Sequence, residues 1–87
     1  MKPRHVKGAF TQVLDGEVTV YEDRSDKVHI LNASASVIWQ LCDGDRTVQQ
    51  VIEDVAAVYE KSEGELSETV TRLIADLVSQ RLIEVGR

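Results

Sequence analysis

Apolar positions alternate with a period of two through the first third of the chain and recur every three or four positions through the rest, which predicts strands followed by helices. Residues 10–14 read as a strand. Residues 17–21 read as a second, with Val18 and Val20 on one face and Thr19 and Tyr21 on the other. Asp15-Gly16 between them is a hairpin signal, because glycine accepts the positive φ that a tight primed turn requires. The polar run 22–27 makes a second turn and returns the chain into residues 28–31, a short apolar, β-branched run suited to a strand. A three-stranded meander results, with its third strand at an edge.

Asn32 stops that strand. Its side-chain amide can accept from the free N–H groups of a starting helix, so it caps a helix over residues 33–42. Ile38, Leu41 and Cys42 give this helix a buried face, Trp39 supplies the one large aromatic area, and Asp43-Gly44 closes it. Thr47 and Gln50 then form a capping box. Behind it Val48, Val51, Ile52, Val55, Val58 and Tyr59 make one apolar stripe, which reads as core.

Ser62 and Glu65 repeat the capping-box pattern and open a third helix that runs to about Gln80, although Gly64 in its first turn also allows a start near Ser67. Its core stripe is Leu66, Val70, Leu73 and Leu77. Thr71, Ile74, Ala75 and Val78 lie on one flank, where Ile74 and Val78 suit core and groove equally. Residues 82–85 either form a short terminal strand or pack on the core. Residues 1–9, with Lys2, Arg4, Lys7 and the only proline, are expected to be a flexible arm, and residues 10–87 a single domain. The predicted class is α+β, winged helix-turn-helix-like: a three-stranded antiparallel sheet followed by three helices.

Charge and composition narrow the function. A chain of 87 residues with 43% hydrophobic content holds one small core. The net charge of −5 disfavours the phosphate backbone, where affinity comes largely from cations displacing counterions, so nucleic acid is not expected as a partner. One cysteine allows no internal disulfide and suits a reducing cytoplasm. No stretch is long and apolar enough to span a bilayer, so no membrane association is expected.

No constellation for catalysis is evident. His5 and His29 lack a spacing that would bring both onto one metal, and Cys42 sits at a helix C-terminus, where the dipole opposes a thiolate. The acidic turn of Glu22, Asp23 and Asp26 misses the calcium-loop pattern. The expectation is a protein that is not an enzyme and holds no cofactor or metal. What remains is an interaction surface.

Leu31-Asn32, Ala35, Ile38-Trp39, Asp43-Gly44 and Thr47, in this order and with a hairpin before them, resemble the PqqD family, also called RiPP recognition elements. The resemblance runs from about Phe10 to Val85. It implies a peptide-binding adaptor for pyrroloquinoline quinone or other peptide-modifying pathways. In such proteins the leader of a ribosomally made precursor adds as a strand to the sheet edge, between the third strand and the third helix. The partner is then a modifying enzyme, often of the radical S-adenosylmethionine type.

Carried onto this chain, the resemblance implies a peptide site of Lys27, Val28, His29, Ile30 and Leu31 on the strand, with Thr71, Arg72, Ile74, Ala75 and Val78 on the helix. His29 and Leu31 share one side of the strand and Val28 and Ile30 the other, and the sequence leaves open which pair meets the peptide. Arg24, Lys27, Arg72 and Arg81 are candidates to meet acidic leader residues. The exposed edge also permits self-association, so a monomer or a weak or domain-swapped dimer is expected. The competing readings are a winged-helix DNA-binding regulator and a structural subunit of an enzyme complex. The first lacks a basic recognition helix, since no Lys or Arg lies between Val48 and Glu60.

Overall fold

The structure, a computed structural model, describes residues 2–86. Its strands and helices follow in the order β1 (Lys2–His5), β2 (Ala9–Leu14), β3 (Glu17–Glu22), β4 (Lys27–Ile30), α1 (Ala33–Leu41), α2 (Val48–Tyr59), α3 (Glu63–Ser79) and β5 (Ile83–Gly86). The fold is mixed α+β. β2, β3 and β4 form the expected antiparallel meander, with β3 central. Val18 and Val20 of β3 are fully buried beneath the helices, as the alternation required.

The helices start where local chemistry places them. Asn32 accepts from the Ala35 N–H at 2.8 Å, and both capping boxes, Thr47 with Gln50 and Ser62 with Glu65, are closed. α3 ends in a Schellman motif: Arg81 N–H donates to the Val78 carbonyl and Leu82 N–H to the Leu77 carbonyl, with Arg81 left-handed at φ 63°. The core joins Val18, Val20, Leu31, Ile38, Trp39, Cys42, Val51, Ile52, Val55, Val70, Ile74, Leu77, Leu82 and Ile83. Val58 and Tyr59 are corrections to the α2 stripe. Both are exposed, and Ala56 is buried instead, so the buried face of α2 is Val51, Ile52, Val55 and Ala56, in the middle of the helix and short of its C-terminal turn.

The largest correction is at the N-terminus. Lys2–His5 is not a loose arm but a strand, paired antiparallel with β5 in the register Lys2↔Gly86 to His5↔Ile83. Pro3 is buried, which suits a residue that cannot donate in a ladder and here accepts the Gly44 N–H at 2.9 Å. Gly44 sits at φ +87°, and a Cβ there would lie 3.3 Å from Arg4 Cβ, so the Asp43-Gly44 turn is what lets β1 approach.

His5 then stacks on Trp39, with ring centroids 3.8 Å apart and planes 8° from parallel, and its Nε2–H donates to the Trp39 carbonyl at 2.7 Å. Trp39 in turn donates its indole N–H to Thr11 Oγ1 at 2.9 Å. The buried indole thus ties β1, β2 and α1 together. Among the described residues no helix is long and apolar enough to cross a membrane.

Candidate peptide-binding edge

β4 passes into α1 through two residues, Leu31 and Asn32, and the ladder changes partner there. Leu31 N–H donates to the Val18 carbonyl at 2.9 Å, but the return bond from Val18 N–H goes to Ser36 Oγ at 3.0 Å. Ser36, 2% exposed, passes its own hydroxyl hydrogen to the Leu31 carbonyl at 3.3 Å. A helix side chain therefore completes the strand ladder. Nothing in the sequence marks this role beyond a small polar residue on an otherwise apolar helix face.

Because β4 pairs with β3 alone among the described residues, its other edge is open there. The Leu31–Val18 bond and the register Val20↔His29 and Glu22↔Lys27 fix which backbone groups are spent. In an antiparallel ladder the bonded pairs alternate, so Lys27, His29 and Leu31 face β3, and the N–H and C=O of Val28 and Ile30 face outward. Two residues thus offer four unpaired main-chain groups.

The side-chain question left open by the sequence is resolved by burial. His29 and Leu31 lie on the helix side, where His29 Nε2 meets Glu22 Oε2 at 2.6 Å and Leu31 enters the core. Val28 and Ile30 lie on the outer face, 58% and 72% exposed. They continue an exposed row across the sheet, in which Phe10, Tyr21 and Val28 are mutually opposed. The His29 contact holds the Glu22 carboxyl below its ordinary range.

Beyond the C-terminal end of β4 lies a hollow of ≈ 350 Å³ with an apolar part formed by Ile38 of α1, Val55 of α2 and Leu66 and Val70 of α3, and with Ser34, Tyr59, Lys61, Glu65 and Thr69 completing its lining. None of the five helix residues expected at the site lines it. Ile74 is buried in the core, and Thr71, Arg72, Ala75 and Val78 are exposed elsewhere on α3, with Arg72 paired to Glu68 at 2.5 Å. A helical stripe has two flanks, and the flank at this hollow is that of Leu66 and Thr69. Periodicity alone does not say which flank lines a hollow.

The remaining titratable groups are structural. Burial, and then the neighbouring Asp43 charge, push the Cys42 thiol up to about 12, as suits an inert buried cysteine. Asp43 is held below the usual carboxylate range by the N–H groups of Asp45 and Arg46 and by the Arg46 guanidinium. Among the described residues no group of three or more His, Cys, Asp and Glu side chains could hold a metal ion.

An α+β domain with an open strand edge is the class of protein that fold and site define. The sequence matches the model of the family "Coenzyme PQQ synthesis protein D (PqqD)" over residues 16–83, and the chain belongs to that family. Three solved structures share its fold at low identity. One is described as TbiB1 in complex with the TbiA(beta) leader peptide (17% identity, TM-score 0.86, covering 97% of this chain and 98% of that one). Another is a lasso peptide synthetase B1 complexed with the leader peptide (16%, 0.84, 98% and 100%). The third is the PqqD truncation of Methylobacterium extorquens PqqCD, described as a stand-alone RiPP recognition element (19%, 0.76, 95% and 88%). No curated protein matches the sequence.

Proposed function

We propose that this protein binds the leader of a ribosomally made precursor peptide by strand addition to β4 and presents the rest of the precursor to a modifying enzyme. The observation that carries the reading is the open edge at Val28 and Ile30, whose four main-chain groups would pair with an extended peptide. Two of the structures that share the fold hold leader peptides, and the chain belongs to the PqqD family, which supports the same reading. The apolar part of the hollow, at Leu66 and Val70, would take a large side chain of the peptide and set its register. The protein supplies no bond chemistry; it raises the effective concentration of the peptide at the enzyme. The enzyme in this reading is often a radical S-adenosylmethionine enzyme.

The test is amide hydrogen exchange, read by NMR, with and without the leader half of the precursor encoded nearest to this chain. Strand addition protects Val28 and Ile30 at least tenfold and leaves His29, already paired to β3, nearly unchanged. Uniform protection along β4, or none with a soluble peptide and a folded protein, would reject it.

A further inference from the structure

A second hollow, ≈ 540 Å³, lies at the opposite end of β4 from the first. It forms where three chain segments converge: the link between β1 and β2, the turn between β3 and β4, and the turn that joins α3 to β5. Lys7, Arg24, Lys27 and Arg81 line it, so four of the ten lysines and arginines of a chain with net charge −5 gather at one place.

None of the four forms a salt bridge among the described residues. The two carboxylates in the same lining are already engaged, Glu22 by His29 at 2.6 Å and Glu84 by Arg4 at 2.9 Å. The lining therefore holds four cations against two carboxylates, an excess of positive charge on a negative molecule. Arg81 occupies its place at a backbone cost, since its left-handed φ of 63° is one that glycine fills without strain.

We propose that this hollow binds the acidic side chains of the precursor peptide where it leaves the β4 edge. The assignment rests on the strand-addition reading. Lys27 is both the first residue of β4 and part of the lining, so a peptide on the edge passes directly from main-chain pairing into the cationic hollow. An antiparallel peptide would run from the first hollow toward this one. At about 3.3 Å per residue, its acidic positions fall roughly four to eight residues C-terminal to its apolar anchor. Cations converging on a carboxylate also fix register and speed encounter.

The experiment titrates isotope-labelled full-length protein with acetyl-tetraglutamate amide, with the tetraglutamine peptide as control and the leader half of the nearest encoded precursor as a separate arm. Expected are saturable amide shifts at Lys7, Arg24, Lys27 and Arg81 with tetraglutamate and none with tetraglutamine. Arg81→Gly, which relieves the left-handed strain and so keeps the fold, weakens tetraglutamate at least fivefold. Equal response to both peptides, shifts of the same size at Arg46 and Arg72, or an unchanged Arg81→Gly would overturn the hollow as an acidic-side-chain site. Strand addition is judged separately, at Val28 and Ile30. Tetraglutamate binding with no leader response there would fail the strand-addition reading and remove the precursor as the occupant.

Discussion

Ser36 shows how much can depend on one small hydroxyl. It closes two backbone bonds where strand becomes helix, and nothing else in the described structure reaches the Val18 N–H. Ser36→Ala would leave that donor buried and unpaired and free the Leu31 carbonyl, at a cost of about 1–3 kcal/mol. In a domain of this size each kcal/mol moves the melting point by about 4–8 °C, so calorimetry resolves it readily. Glu22 gives a pH-dependent counterpart. Its carboxyl is depressed in the folded state, first by the His29 hydrogen bond, so it contributes stability above its ordinary value near 4.5 that is lost as pH falls through the folded value. Glu22→Gln should flatten the acid limb of a stability-against-pH curve below about pH 4.5 and leave the curve's shape above it unchanged. An unchanged acid limb would mean that the His29 contact is absent in solution.

What the sequence made legible at the level of strands and helices was what is encoded locally. Asn32, Thr47 and Ser62 each cap a helix through a neighbour three residues away, and Asp15-Gly16 turns a hairpin between adjacent strands, so a short window contains both partners of each interaction. The failures were non-local. β1 finds its partner about eighty residues later, and nothing in Lys-Pro-Arg-His announces a strand until Ile83–Gly86 and the Gly44 N–H lie alongside it. The α3 half of the expected site is not separable locally either: Thr71 and Thr69 are both small polar residues beside the same stripe, and Thr69 is the one that lines the hollow with α1. On the strand a period of two leaves a single binary choice of face, which the burial of Leu31 decides.

Taken whole, the described fold is closed by the pairing of its first and last strands. The β1–β5 ribbon brings Lys2 opposite Gly86 and so encloses every other element in one loop. Closing so long a loop costs chain entropy before any contact is returned, whereas the β2–β3–β4 meander and the capped helices assemble from near neighbours. The ribbon is therefore expected to zip last and open first. Native-state hydrogen exchange would show this as a smaller opening free energy for amides of β5 than for those of β3, and equal values would argue for a single cooperative unit. The open edge of β4 is complete once the meander has formed, while the cationic hollow, which borrows Lys7 and Arg81 from the segments flanking the ribbon, is assembled only when the ends have met.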